Sequence, residues 1–456
     1  MGLLTGMESI IMTVTDDAPF HLRGNFAPVF DEVSSNNLEV RGSIPPELNG
    51  RYLRNGANPI TGESAHWFLG DGMVHGVRLR EGQAEWYRNR WVRTPFYDNP
   101  TKPVIDLENL DFSSENSKAN THVVRHAGRI LCLEEGHLPW EISEELETIG
   151  PHSFGGQLDG PFTAHPKICP TTGEMLAFGY GFLPPAYLTF LRVSATGELV
   201  QQKNIEIPAP VMMHDFNITA SRVVFMDLPV VFDFDVAVAG GMPFSFQRDN
   251  GARLGVMDRG DSDADVQWLD IDPCYVFHPV NSYDDDGRVI IDVARYPTMW
   301  EAGSTEFEYK ANLWRWDIDT VAGRVTETQL DDRPIEFGRV ADNRVGLKNR
   351  FGYAVGSKRD AADPEADTLV KYDFDTGDSF TWDLGKGRDP GEFVFVNRPG
   401  STNEDDGWLM GYVYDRSESR SSLLILNAEE PTSEPVAEIV LPQRVPFGFH
   451  GSWIGM

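Results

Sequence analysis

Thr368-Leu-Val-Lys-Tyr-Asp-Phe-Asp-Thr-Gly-Asp-Ser-Phe-Thr-Trp382 contains the fold in miniature. Two runs rich in Val, Tyr, Phe, Thr and Trp flank the tripeptide Asp375-Thr-Gly377. Period-two alternation of such residues predicts strands, and an Asp/Gly turn between them predicts an antiparallel hairpin. The pattern recurs in both directions. Trp408–Tyr414 and Ser422–Asn427 are further runs, and Thr171-Thr-Gly173, Ala195-Thr-Gly197, Asp285-Asp-Gly287 and Glu404-Asp-Asp-Gly407 are further turns. The chain therefore reads as all-β, built from hairpins. Helical readings are confined to Pro139–Glu147 and Leu183–Leu191. No Pro-, Ser- or Gly-rich linker divides the 456 residues. One domain is expected over 25–456, after a loose tail at 1–24.

Composition limits what such a domain can bind. There are 39 Lys and Arg against 70 Asp and Glu, a net charge of −31. Nucleic-acid binding depends on cationic side chains that release counterions from phosphates, so this chain is not expected to bind it. An apolar partner is not excluded, and 11% aromatic residues supply ample apolar surface. Cys132, Cys169 and Cys274 show no CxxC pairing and are expected to be reduced, buried thiols of a cytoplasmic protein. No secretion signal is read at the N-terminus, and no apolar run is long enough to span a bilayer. The longest, Leu228–Phe246, is broken by Asp233 and Asp235. Asp373–Asp378 starts like a calcium loop, but the required final Glu falls on Leu384, so it reads as a solvated turn. HExxH, GxSxG and P-loop motifs are absent.

Four of the 11 histidines share a setting at the edge of an apolar run, beside Pro, Gly or an aromatic residue: His165, His214, His278 and His450. His278 is followed after 58 residues by Glu336, then after 56 by Glu392, then after 58 by His450. His214 lies 64 residues before His278, and His165 a further 49 before that. A recurrence of roughly 50 to 60 residues, enough for about four strands and their turns, is the period of a β-propeller blade. One residue per blade would point at a common axis, and these positions with the strands before them predict seven blades. Four neutral imidazoles on that axis suit a first-row divalent metal such as Fe, Zn or Cu. Glu336 and Glu392 lie in apolar settings where an unpaired carboxylate is costly, so they read as partners for the outer nitrogens of ligating histidines.

The chain resembles the carotenoid cleavage oxygenases over nearly its whole length. The motifs that carry the resemblance are Gly24–Val29, Pro45–Gly56, His66-Trp-Phe-Leu-Gly-Asp-Gly-Met-Val-His75, Tyr87–Arg93 and Phe449-His-Gly-Ser-Trp453. The resemblance implies a single-domain seven-bladed β-propeller with a helical cap over the iron face. It implies one Fe(II) per chain held by His165, His214, His278 and His450, with O2 as co-substrate. Glu135, Glu336 and Glu392 would orient ligands, and Thr121 would crowd one of two open metal positions. The implied reaction adds both oxygen atoms across an alkene and yields two aldehydes or ketones.

The implied substrate is a lipophilic or aromatic alkene, with Phe68, Phe277 and Trp140 along its tunnel. In the stilbene-cleaving branch a Lys just before the orienting glutamate and a Tyr upstream grip a phenol. The Lys position is Glu134 here, and Tyr97 could supply the Tyr. The opening motifs favour the carotenoid branch, with a stilbene or phenylpropanoid olefin as the alternative and a non-catalytic propeller binding module as a more distant one. Glu134 could accept a hydrogen bond from a hydroxylated substrate end. The apolar segment Leu228–Phe246, with Leu183–Leu188, could form a tunnel mouth that dips transiently into a membrane, leaving the protein peripheral to it. His66 and His75 read as structural residues under the cap, and His21, His137 and His152 as surface residues. Nothing in the sequence predicts an oligomer.

Overall fold

The hairpin at Thr368–Trp382 forms as its alternation requires. Strand Ala366–Asp373 pairs antiparallel with Asp378–Asp383, and Gly377 takes a φ of 79° in the connecting turn. That left-handed conformation costs glycine nothing. The computed structural model describes residues 18–102, 113–182, 186–238, 242–301, 307, 309–357, 366–431 and 434–456.

The same meander repeats around a ring. The innermost strands of six blades are Gly451–Gly455, His122–His126, Lys167–Ile168, Asn217–Ile218, Tyr275–Asp285 and Arg388–Asn397. The remaining blade is hidden by one long strand, Arg324–Arg339. Its first part pairs with Asn312–Asp319 as the outer strand of one blade, and residues 335–339 pair with Phe351–Ser357 as the inner strand of the next. The seven-stranded sheet is thus two blades sharing a strand, and the ring has seven. Glu39–Gly42 caps the last blade against Ala437–Val440, and Gly451–Gly455 pairs with Gly50–Ala57 in the first. Both ends of the chain therefore cross the seam, which leaves no open sheet edge there.

Burial follows position in the blade. Gly50–Ala57 is buried at every residue, because neighbouring sheets cover both its faces. Outer strands such as Leu199–Ile205 alternate, and Asp378–Asp383 is exposed at all but Trp382. Tyr52, Val77, Met410, Leu423 and Ile439 form one of the apolar clusters between adjoining blades. All three cysteines are free and buried.

Two helical expectations are corrected. Pro139–Glu147 forms strand Trp140–Ile142 and a turn closed by Leu146 N–H on the Ser143 carbonyl. Trp140 and Ile142, two apart, bury together against Leu53, Trp86 and Cys132, and this packing overrides the local helical preference. Leu188–Val193 is likewise a strand, paired with Met175–Tyr180, and 183–185 lie outside the described residues. Helical structure is sparse: among the described residues the α-helical segments are Pro95–Asp98 and Phe234–Val238, with short 3-10 turns at Phe20–Leu22, Gly24–Phe26 and Trp67–Leu69. The expected loose tail packs from residue 18 onward, with Phe20 edge-on to Phe26 at 5.3 Å and to Trp67 at 6.0 Å. Residues 1–17 are outside the description.

His75 lies fully buried in strand Gly72–Arg80, its Nδ1 2.9 Å from the Tyr87 hydroxyl. Burial above all, with Arg54 and Arg444 nearby, holds its imidazole well below the usual 6.5. The folded pKa is thus below the unfolded one. Below about pH 6.5 the unfolded chain binds a proton that the folded chain refuses, so stability is complete above that pH and falls on acidification. The urea midpoint of the metal-free protein should drop between pH 7 and 5, and His75→Gln should flatten that slope. Parallel slopes in the two proteins would refute the assignment.

Candidate metal centre

Local irregularity aims the functional side chains at the axis. The strand pairings slip between Val276 and Asn281 around His278, between Glu336 and Arg339, and between Pro390 and Phe393 around Glu392. Bulges of this kind re-aim a side chain that regular pairing would send into a blade. His165, His214 and His450 sit just ahead of Lys167–Ile168, Asn217–Ile218 and Gly451–Gly455, where the chain enters the innermost strand. Six blades thus contribute the histidines and two of the glutamates. The seventh brings Thr121, whose carbonyl accepts the backbone N–H of His450 at 3.1 Å.

The four imidazoles are buried, and their ligand atoms all lie within 4.8 Å of one another. Nε2 of His214 is 3.0 Å from Nε2 of His165 and 3.1 Å from that of His278, which is 3.1 Å from Nε2 of His450. Ligands about 2.1 Å from a metal and at right angles to each other would be about 3 Å apart. Four inward lone pairs at this spacing repel one another unless a cation lies among them, so the donor set fits a first-row divalent metal. Burial first, and then the neighbouring imidazoles, holds His165 and His450 well below their usual pKa, which keeps both neutral and able to ligate. Burial is the largest influence on His278 and acts to lower it, but Glu336, Asp215 and Glu392 together turn the net shift upward.

The outer nitrogens meet carboxylates. Glu336 lies against His278 Nδ1 and accepts the Phe337 N–H at 2.6 Å. Glu392 is 3.1 Å from His450 Nδ1 and accepts the Gly451 N–H at 2.7 Å. Glu135 touches His214 Nδ1, off the ideal hydrogen-bonding direction, and takes the Tyr180 hydroxyl on its other oxygen. A carboxylate at Nδ1 fixes the tautomer that leaves Nε2 free to ligate.

The two sides of this cluster differ. Phe277 stands edge-on to His214 at 5.1 Å, with Phe68 6.1 Å and Trp300 6.0 Å from Phe277, and Phe68 lies 5.5 Å from Phe449. On the other side a cavity of about 420 Å³ follows the axis, lined by His122, Lys167, Asp215, Asn281, Arg339 and Ser452 among others.

The remaining candidates are placed elsewhere. Trp140 lies in the core between blades, and Tyr97 packs on Trp91 with Arg93 over its ring, so neither is grouped with the histidines. Glu134 has partners on both oxygens. His137 Nδ1 at 2.7 Å and the Ser117 hydroxyl at 3.1 Å hold one, and the Gly136 N–H holds the other at 3.0 Å. His137 is thus not a free surface residue, and His21 is buried with its Nε2 3.0 Å from the Ser64 carbonyl. Sequence reasoning missed Tyr180, His122, Lys167 and Asp215. Only Asp215 carried a local signal, its adjacency to His214. His122 is pulled down to about pKa 3, chiefly by burial and then by His450, and packs as a neutral ring 5.2 Å from His450.

A four-histidine site on a propeller axis, backed by glutamates and flanked by an aromatic wall, defines a class of non-haem metal enzymes. The profile of the retinal pigment epithelial membrane protein family matches residues 26–455, and the chain belongs to that family. A carotenoid cleavage oxygenase of Mycobacterium tuberculosis is 38% identical, the match covering 95% of this chain and 97% of that protein. Carotenoid 9,10(9',10')-cleavage dioxygenase 1 of Pisum sativum is 34% identical over 98% of this chain and 93% of its own length. Among solved structures, the lignostilbene dioxygenase of Pseudomonas brassicacearum superposes with a TM-score of 0.89 at 28% identity, covering 97% of this chain and all of that one. A variant of the Synechocystis apocarotenoid oxygenase superposes with a TM-score of 0.86 at 27% identity, covering 95% and 98%.

Glu336→Gln or Glu392→Gln would remove the charge that polarises a ligand. Each should weaken metal binding about 10- to 100-fold with little change in the fold. Chelator competition with Co(II), alongside circular dichroism, checks this. Unaltered affinity in both variants would show that the glutamates do not support the ligands.

Proposed function

We propose that the protein cleaves a carbon–carbon double bond of a carotenoid or apocarotenoid with O2, giving two aldehyde or ketone products. The observation that carries this is the convergence of the four Nε2 atoms beneath an aromatic wall. Fe(II), one per chain, held by His165, His214, His278 and His450, supplies the activation of O2 that a spin-paired alkene cannot achieve alone. The protein's own part is binding and exclusion. Phe68, Phe277, Trp300 and Phe449 offer aromatic faces to a polyene and keep water from the reacting carbons. Glu135, Glu336 and Glu392 hold three imidazoles in register, and Thr121, anchored to the His450 backbone, narrows the open side of the site. No side chain is required as a general base, because both oxygen atoms end in the products.

A carotenoid or apocarotenoid is favoured over a stilbene because the sequence relatives at 38% and 34% identity are carotenoid-cleaving enzymes by name. The lignostilbene dioxygenase neighbour keeps a phenolic olefin as the second reading. Where that reading wants a lysine, this chain has Glu134, paired with His137. A hydroxylated substrate end would reach Glu134 by displacing Ser117. A membrane is the proposed source of so apolar a substrate. On the short helix Phe234–Val238, Phe234 is 55% exposed and Val236 38%. Among the described residues no helix is long and apolar enough to cross a bilayer.

Three experiments test the proposal. Protein loaded with Fe(II) should consume one O2 per alkene cleaved and convert carotenoids or apocarotenoids to aldehydes, identified by mass spectrometry. Glu134→Gln should lose any preference for hydroxylated over plain substrates. Failure to load stoichiometric iron, or cleavage of resveratrol and 4-vinylguaiacol alone, would sink the carotenoid reading. Separately, co-sedimentation with lipid vesicles should fall several-fold in Phe234→Glu, and equal sedimentation of the two proteins would remove the membrane role.

A further inference from the structure

His165 is the exception among the four histidines. Three present Nδ1 to a glutamate, whereas the carboxylate facing His165 Nδ1 belongs to Asp215, with Oδ2 3.7 Å away. Asp215 is 2% exposed and accepts its neighbour Phe216's N–H on Oδ1 at 2.6 Å. Its dominant partner is Lys167, whose Nζ lies 2.7 Å from Oδ1 and 2.9 Å from Oδ2. The two segments interlock. His165-Pro-Lys167 supplies a ligand and the cation, and His214-Asp215 supplies a ligand and the anion. Both members of the pair line the axial cavity on the side of the metal centre away from the aromatic wall.

We propose that Lys167 and Asp215 form a neutral pair that sets the charge facing His165 while adding no net charge to the metal site. This inference, which rests on the iron-site reading above, follows from charge. Three glutamates already put three negative charges around an ion of charge two, and Arg339, with Nη1 3.7 Å from Glu392 Oε1, offsets at most one of them. A fourth bare carboxylate would leave the buried site net negative and would favour the oxidised metal. An ammonium spanning both Asp215 oxygens cancels that charge but leaves Oδ2 turned toward the imidazole. The buried aspartate is also compensated, as burial of a carboxylate demands. His165 then faces a neutral pair at 3.7 Å in place of a hydrogen-bonded carboxylate and is the least electron-donating of the four ligands.

A pair that merely ties two blades together predicts that breaking it costs stability and nothing else. A pair that balances charge beside the metal predicts opposite electrostatic effects from its two halves. Asp215→Asn, Lys167→Met and the double variant would be prepared at pH 8 with iron bound. Their Fe(III)/Fe(II) midpoint potentials would be measured by redox titration, and their affinities by chelator competition with Co(II). Asp215→Asn, which leaves the ammonium uncompensated, should raise the potential and weaken Co(II) binding about 10- to 100-fold. Lys167→Met should lower the potential, and the double variant should return close to wild type. Lys167→Arg keeps the charge and should also stay close to wild type, which separates charge from packing if Asp215→Asn folds poorly. Single variants that bind iron but shift the potential in the same direction, or not at all, would overturn the inference alone. Wild-type protein that fails to bind iron would overturn the reading on which it rests.

Discussion

Seven sheets arranged in a ring meet at a seam where the first and last blades would expose unpaired strand edges. Here the seam is crossed twice, by Glu39–Gly42 on the outside of the last blade and by Gly451–Gly455 on the inside of the first. The inner crossing does more than close the ring. It carries His450 to the axis from the last seven residues of the chain, and its Gly451 N–H anchors Glu392 from the neighbouring blade. The carbonyl of Thr121, from the other neighbour, receives the His450 N–H. One strand therefore joins three blades and completes the ligand set, so the metal site forms only in the closed ring. Gly56 shows how tightly this is packed. A Cβ there would lie 2.2 Å from the carbonyl oxygen of Gly448, two residues before the ligand.

The net charge of −31 has to be divided along the same geometry. Outer strands and turns take most of it, where Asp378, Asp383 and Asp415 are solvated or paired with surface arginines. Such exposed pairs contribute little to stability. The buried acids are mostly paired with cations, Asp227 with Arg253, Asp373 with Arg350, Asp389 with Arg416 and Glu438 with Arg388 among them. Asp292 is gripped by Arg315, Asp71 by Lys118, Asp215 by Lys167, and the glutamates of the centre by imidazole nitrogens, backbone N–H groups or tyrosine hydroxyls. The acidity that argues against a nucleic-acid partner and the acidity that organises a cation are thus separate populations of residues.

The sequence disclosed the blades because strand length and turn length together fix the number of residues between successive inner strands. His214, His278, Glu336, Glu392 and His450 recur at nearly constant intervals for that reason, and the bulges that aim three of them leave the count almost unchanged. What stayed hidden depends on contacts between blades, which have no fixed spacing. Tyr180 reaches Glu135 across 45 residues and a blade boundary. Lys167 finds Asp215 across 48. The segment Pro139–Glu147 misled in the opposite way. Its local composition favours helix, and only Cys132 and Leu53 on other strands make the alternation of Trp140 and Ile142 decisive. Glu135 was legible only through family resemblance, since nothing local separates it from Glu134.

Every blade begins at the axis with a strand running in the same direction, so the order of residues along the chain becomes an order along the axis. Phe277 precedes His278, and Asn281 and Ser282 follow it. Phe449 precedes His450, and Ser452 follows. Ala164 precedes His165 and Lys167 follows, while Met213 precedes His214 and Asp215 and Asn217 follow. At these four blades the order apolar, histidine, polar places an aromatic wall on one side of the metal centre and the cavity lined by Lys167, Asp215, Asn281 and Ser452 on the other. A polyene gains by desolvating against the first and would have to dehydrate charged groups to enter the second. Strand polarity therefore sets which side of the metal centre is apolar and which is polar, and the histidines stand at the boundary.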